Sequence, residues 1–289
     1  VNLVESLASA SSYLDRHRIS SPRLNAEILL GHVVCLERVE IYTNYDRQLS
    51  AEEAEGYKRL LMKRAGGCPL QYLTGVSGFM GLSFEVRQGV FIPRPETEIL
   101  ALSLLEGLHP GNAEILDLGT GCGNIAVCIA VRRTSTVAVA VDNDRRAVEL
   151  CERNARRHGV SERVRVLEGD LYDALAGGPF RTFDAIVSNP PYIPEGSREA
   201  LPVEVRDFEP MEALLGGSDG LDVVRRIVGH APAHLKAGGR LLVEIGDGQV
   251  QEAMGLFDAG WEDVRYHDDL AGRARVLEAR LAETHVSAG

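Results

Sequence analysis

The stretch AEILDLGTGCGNIAVCIAVRR, Ala113 to Arg133, decides the fold. AEILDLG is an apolar run of strand length that stops at glycine, and NIAVCIAVRR then reads as a helix. The same alternation continues outward through strand TVAVAVD, helix DRRAVELCERNARRHG, strands RVRVLEGD and FDAIVSN, helix GLDVVRRIVGHAPAHL, strand RLLVEIG and helix QVQEAMGLFDA. This rhythm predicts an α/β fold with a doubly wound, mainly parallel sheet. WEDVRYHDD and RARVLEAR read as a closing antiparallel hairpin, and ETHVSAG as a frayed tail.

A chain of 289 residues leaves room for a second, smaller domain ahead of this one. Residues 1–67 read as a helical bundle. Ser21-Pro22 is a cap and first-turn proline for a helix in which Leu24, Ile28, Leu29 and His32 share helical spacing, with His32 expected at the core or its boundary. Ser50 and Glu53 form a capping box for another helix that ends at Gly66-Gly67. Residues 68–95 read as a connector with short strands, since GLSFEV sets Leu82, Phe84 and Val86 on one face and Ser83 and Glu85 on the other. A helix from about Glu96 then opens the catalytic domain, residues 96–289.

No run of about 18 apolar residues spans a bilayer, and the charges within VNLVESLASASSYLDRHRI break up what a signal peptide would leave apolar. A cytoplasmic address is expected. The five cysteines are scattered without a CxxC pair, so neither a disulfide framework nor a zinc site is expected. The net charge of −11 weighs against affinity built on neutralising many phosphates.

DLGTGCG, Asp117 to Gly123, spells GxGxG, but Asn124 stands where a dinucleotide fold would carry its last glycine. Glycines here let a ligand lie against bare backbone, and Asp117 offers an acceptor for an ammonium group. Asp142 ends the next strand roughly 20 residues on, the place of a ribose-binding acid. In EGDLYDAL, Asp170 is placed either to accept an adenine amino group or to cap its loop, and Leu171 to pack on the adenine face. An adenosine ligand without a pyrophosphate, spread over three strand ends, points to S-adenosylmethionine.

The next strand ends in VSNPPY. Pro190 and Pro191 lack N–H groups and hold φ near about −65°, which makes a stiff turn that presents carbonyls. If the Asn189 side-chain oxygen and the Pro190 carbonyl accept the two hydrogens of a planar NH₂ group, that nitrogen is held toward the methyl donor, with Tyr192 covering the acceptor's face. No strong base is required, because the proton leaves after transfer.

DLGTGCG, AVD at 140–142 and NPPY at 189–192 together resemble the class I methyltransferases that modify planar nitrogen. LNAEILLGH at 24–32, PLQYLTG at 69–75, FIPRPETE at 91–98, VSNPPYIP at 187–194, VRDFEP at 205–210, GGSDGL at 216–221 and DLAGRARV at 269–276 closely resemble, in that order, the protein-(glutamine-N5) methyltransferases acting on peptide chain release factors. The resemblance covers almost the whole chain. It implies methylation of the glutamine amide in the Gly-Gly-Gln motif of class 1 release factors, with residues 1–67 helping to hold the factor and S-adenosylhomocysteine as product. It further implies that Gly119, Thr120, Gly121, Cys122, Gly123 and Asp142 hold the cofactor with Leu171 near the adenine. Asn189, Pro190, Pro191 and Tyr192 would hold the glutamine, and Asn189, Pro190 and Tyr192 would carry the catalysis, with Asn189 also reaching the cofactor. FIPRPETE would line the cofactor side.

Other readings stand beside this one. A methyltransferase for adenine N6 or guanine N2 in nucleic acid would use NPPY equally well, but it needs a basic, base-stacking surface. A dehydrogenase is disfavoured by Asn124, and a noncatalytic scaffold by three intact motifs. Trp261 reads as a packing anchor, the charges of ERNARRHG at 152–159 as a solvated helix face, and Glu204, Asp207 and Glu209 as surface-loop residues.

Overall fold

The computed structural model describes residues 1–179 and 182–283. Of the expected frayed tail, residues 284–289 lie outside that range. The chain divides into two compact units, Val1–Val76 with Pro202–Phe208, and Ser77–Leu201 with Glu209–Gly289. The helical unit therefore runs past Gly67 and takes in a distant segment that the sequence rhythm does not assign to it.

The first unit holds α1 (Leu3–Arg16), α2 (Pro22–Val34), α3 (Arg38–Thr43), α4 (Ala51–Ala65) and α5 (Leu70–Thr74). Capping boxes start α1 (Asn2 with Glu5) and α4 (Ser50 with Glu53), each satisfying two otherwise orphaned N–H groups. Ser21 does not cap α2 with its side chain. It sits in left-handed backbone at φ 48°, and the Asn25 amide instead donates to the carbonyls of Ser20 and Ser21 at 3.0 and 3.1 Å.

The face of α2 also differs from its expected one. Leu24 and His32 are exposed, while Asn25, Ala26, Leu29, Leu30 and Val34 are buried against Leu3, Leu7, Leu14 and Tyr57. α2 is apolar over more than one stripe, so spacing alone does not choose which stripe faces the core. Asn25 belongs inside because its side-chain oxygen accepts from Arg64 Nε at 2.7 Å. The buried Arg64 guanidinium in turn pairs with Glu204 at 2.9 Å.

The hairpin of β1 (Val76–Phe79) and β2 (Leu82–Glu85) begins at the boundary and leads into the second unit, followed by α6 (Thr97–Gly107), β3 (Ala113–Leu118), α7 (Asn124–Arg132), β4 (Thr136–Asp142), α8 (Arg145–Arg157), β5 (Val164–Glu168) and β6 (Phe183–Ser188). The single turn α9 (Val203–Arg206), part of the first unit, precedes α10 (Asp222–His230), β7 (Leu235–Glu244), α11 (Val250–Met254), β8 (Trp261–Asp268) and β9 (Ala274–Leu281). The sheet has seven strands in the order β5-β4-β3-β6-β7-β9-β8. β5 through β7 pair in parallel, and β9 pairs antiparallel with both β7 and β8.

β3 and β4 are buried almost throughout, as expected of strands covered by helices on both faces. Trp261 is buried edge-on against Phe257, a packing anchor as expected. The charged residues of α8 face solvent, but Asn154 on the same helix is fully buried. It exchanges hydrogen bonds with the backbone of Glu85 at 2.8 and 3.0 Å and donates to the Cys122 carbonyl at 2.8 Å, tying β2 to the glycine turn. Among the described residues no helix is long and apolar enough to cross a membrane.

Candidate active site

The chain winds one way from β3 through β4 to β5 and the other way from β6 to β7, so the winding reverses between β3 and β6. Open α/β sheets bind ligands at the carboxyl ends of such a strand pair. A cleft of about 580 Å³ opens there, with Gly119, Gly121, Asp142, Leu171, Asn189 and Tyr192 in its wall. Ser188 Oγ donates to the Leu118 carbonyl at 2.7 Å and fastens the two strand ends together.

The glycines of the β3–α7 turn do different work. Gly119 and Gly121 have φ of 70° and 57°, and a Cβ on either would meet nothing within 4 Å, so bare backbone faces open space. A Cβ on Gly123 would lie 2.5 Å from Cys151 Sγ, so this glycine serves the packing of α7 on α8. Cys122 is buried, and burial pushes its thiol up to about 12. Asp117 lies fully buried under the turn, with Oδ2 accepting from Thr120 Oγ1 at 2.7 Å and from the Ala126 N–H at 3.2 Å. Its Oδ1 has no partner, and burial raises its carboxyl to about 7. Asp117, Cys122 and Gly123 thus stand behind the turn, whereas Gly119, Thr120 and Gly121 form the cleft wall.

Asp142 is held by the turn it faces. Its carboxylate accepts from the N–H groups of Gly121 at 2.8 Å and Asp144 at 3.0 Å. Burial raises its pKa, and those backbone bonds oppose the shift. Asp170 lines the cleft with one oxygen already paired to Arg226 at 2.7 Å. Leu171 beside it has left-handed backbone at φ 48° and packs against the core.

In the turn after β6, Asn189 Nδ2 donates to Thr97 Oγ1 at 3.0 Å. Among the described residues nothing donates to Asn189 Oδ1 or to the Pro190 carbonyl, and both residues line the cleft. The Tyr192 hydroxyl donates to Glu244 Oε1 at 3.4 Å, and the Tyr192 carbonyl accepts from Gln249 Nε2 at 2.9 Å. GGSDGL lies directly against this turn: a Cβ on Gly216 would stand 2.4 Å from the Pro191 oxygen, and one on Gly220 2.2 Å from the Tyr192 oxygen.

Sequence reasoning left several residues of this site unassigned. Glu209, expected in a surface loop, is buried, accepts from the Ile92 N–H at 3.3 Å and pairs with Arg94. The Arg94 guanidinium lies 4.8 Å from the Phe91 ring, and Phe91 is the one residue of FIPRPETE in the cleft wall. Thr97, Glu244 and Gln249 support the Asn189–Tyr192 turn from distant points in the chain, which no local pattern marks. Among the described residues no group of His, Cys, Asp or Glu is placed to hold a metal ion.

The sheet order, its antiparallel end and a glycine turn facing the acidic end of the neighbouring strand beside the switch point define a class I methyltransferase. Family models described as "PrmC N-terminal domain" and "Methyltransferase small domain" match residues 5–75 and 82–204. A methyltransferase structure from Pyrococcus furiosus superposes with a TM-score of 0.53 at 19% identity, covering 71% of this chain and 91% of that one. The release factor glutamine methyltransferase of Geobacter sulfurreducens is 42% identical over 93% of this chain and 93% of its own length. That of Xylella fastidiosa is 40% identical over 89% and 93%. The chain belongs to the release factor glutamine methyltransferase family.

Proposed function

We propose that the protein transfers a methyl group from S-adenosylmethionine to the side-chain amide nitrogen of the glutamine in the Gly-Gly-Gln motif of class 1 release factors, in support of translation termination. The observation that carries this reading is the pair of unused acceptors, Asn189 Oδ1 and the Pro190 carbonyl, on a stiff turn in the wall of the switch-point cleft. Two fixed acceptors match the two N–H groups of a primary amide.

The residues present fit the cofactor. Gly119 and Gly121 give a backbone cradle without side chains, and Asp142 is pinned where it can accept from vicinal hydroxyls. Asp117, buried behind the turn, braces that cradle by accepting from Thr120 Oγ1 and the Ala126 N–H. Thr120, Cys122 and Gly123 shape the loop, and Asp170 and Leu171 take the adenine end. S-adenosylmethionine, when bound, supplies an electrophilic methyl group on a sulfonium. Asn189 and Pro190 hold the amide so that its nitrogen faces that group, Pro191 stiffens the turn and Tyr192 covers the amide plane. Transfer would break the bond from sulfur to the methyl carbon, leave S-adenosylhomocysteine, and let the methylated nitrogen give one proton to solvent.

Residues 1–67, joined through the connector 68–95 to the catalytic residues 96–289, are assigned to release-factor binding. The activity belongs in the cytoplasm with that substrate, and the acidic net charge favours a protein over a nucleic-acid acceptor. The test is mass spectrometry of an unmethylated release factor incubated with the protein and S-adenosylmethionine. A single added methyl on the Gly-Gly-Gln glutamine amide is expected. Transfer to RNA or DNA in place of the factor would install the nucleic-acid reading instead.

A further inference from the structure

We infer that Asn154, buried behind the glycine turn, is a positioning residue for the cofactor: it holds the peptide planes of the turn so that the Gly121 N–H points at Asp142. The inference rests on the function proposed above, in which S-adenosylmethionine lies against this turn and Asp142.

Glycine accepts either sign of φ, so a turn with left-handed glycines at 119, 121 and 123 does not by itself select one arrangement of its peptide planes. If the Thr120–Gly121 plane turned over, it would aim a carbonyl, not an N–H, at the Asp142 carboxylate. Something outside the turn has to choose, and a run of hydrogen bonds leads from that plane to α8. The Gly121 N–H donates to Asp142 Oδ2 at 2.8 Å. At the other end of the same peptide, the Thr120 carbonyl accepts from the Gly123 N–H at 2.9 Å. That N–H belongs to the Cys122–Gly123 peptide, whose carbonyl accepts from Asn154 Nδ2 at 2.8 Å. Cys151, one turn earlier on α8, closes the space beside Gly123.

The Cys122 carbonyl stands at a helix start, where it would ordinarily accept from the N–H four residues on. That N–H, of Ala126, goes instead to Asp117 Oδ2 at 3.2 Å. Asn154 supplies the donor in its place. Its own orientation is settled by β2, because Nδ2 also donates to the Glu85 carbonyl at 3.0 Å and Oδ1 accepts from the Glu85 N–H at 2.8 Å. Turned over, the amide would set N–H against N–H and oxygen against two carbonyls. Asn154 is fully buried, so loss of its side chain leaves the Cys122 carbonyl unpaired and the turn free to rearrange.

Asn154→Leu keeps the bulk and removes the polar atoms. By calorimetry its Kd for S-adenosylmethionine is expected to rise at least about tenfold. With S-adenosylmethionine and release factor both saturating, kcat should stay within about threefold of wild type, since the NPPY turn is untouched. Leu281→Ala, which opens a cavity in β9 toward the antiparallel end of the sheet, controls for general loss of stability, and its Kd should stay within about twofold of wild type. An unchanged Kd in folded Asn154→Leu, or an equal rise in Leu281→Ala, overturns the inference. A second readout needs no cofactor. The Gly121 amide should exchange with solvent at least about tenfold faster in Asn154→Leu while the amides of β4 hold their rates, and an unmoved Gly121 amide overturns the inference. In wild type the Asn154 side-chain amide, identified by its contact with the Glu85 N–H, should exchange slowly. Fast exchange there overturns the inference even if Asn154→Leu does not fold. Should wild type bind no S-adenosylmethionine, the proposed function fails, and the exchange experiments alone decide whether Asn154 holds the turn.

Discussion

Asn189 has two ends and two tasks: Nδ2 holds the side chain to Thr97, and Oδ1 remains for the acceptor amide. Removing the side chain should therefore affect turnover far more than cofactor affinity. Asn189→Ala is expected to lower kcat about a hundredfold, the usual effect of deleting one well-placed polar group at a reacting centre. The Kd for S-adenosylmethionine should change by less than about threefold, because the cradle of Gly119, Gly121 and Asp142 is untouched. Stopped-flow binding beside single-turnover methylation separates the two. A Kd that rises as much as kcat falls would assign Asn189 chiefly to the cofactor. At this scale the sequence exposed residues whose chemistry is announced by neighbours in the chain, such as NPPY and the glycine turn. It hid Thr97, Glu209 and Asn154, whose partners lie 92, 115 and 69 residues away. Their burial comes from those partners, and no local spacing encodes it.

The loop GGSDGL shows how one element fixes another. Gly216 and Gly220 bring its backbone against the carbonyls of Pro191 and Tyr192, closer than any side chain permits. Gly220 also has φ of 83°, where an L-residue is strained. Gly220→Ala should push the loop off the turn. We expect kcat/KM for release factor to fall at least about tenfold and the melting midpoint to drop by roughly 2–8 °C, the shift for a loss of 1–2 kcal/mol in a unit of this size. Gly177→Ala is the control, since Gly177 has φ of 73° with open space around it and lies outside the cleft wall. Equal loss in both variants would show that backbone strain, and not the approach to Tyr192, is responsible. Element type was readable from the sequence because β3, β4 and β6 are short apolar runs ending at glycine, aspartate or asparagine. The face of α2 was not, since its apolar residues permit two stripes and only the neighbouring helices select one. Nor did spacing reveal that Pro202–Phe208 joins the N-terminal unit, as that follows from the Arg64–Glu204 pair.

Across the molecule, buried carboxyls set the pH dependence of the methyltransferase unit. Burial raises Asp117 from an ordinary 3.8, and Glu244 from 4.5, to about 7. For Glu244, hydrogen bonds from Thr97 and Tyr192 and the charge of Arg275 oppose burial, while Glu96 adds to it. Asp142 is raised in the same sense by burial. Between about pH 4 and 7 the folded unit binds more protons at these groups than the unfolded chain does, so stability falls as pH rises through that window. The loss is on the order of 3 kcal/mol for each group raised to about 7. His234, lowered by burial and then by His230, works in the opposite sense. For Glu278 burial raises the pKa, but hydrogen bonds from Arg240, His267 and Arg265 outweigh it and hold the carboxyl below its usual value. Its contribution is therefore present above about pH 4.5 and lost as pH falls further. The two windows meet near about pH 4.5, where stability is greatest. Trp261, the single tryptophan, is buried in this unit and reports its unfolding by fluorescence. In urea titrations, wild type should be more stable at pH 5.5 than at pH 8. Glu244→Gln, which cannot ionise, should shrink that difference by about half, since Asp117 remains to carry the rest. Greater stability at pH 8, or a difference that Glu244→Gln leaves unchanged, would mean that Glu244 stays ionised throughout.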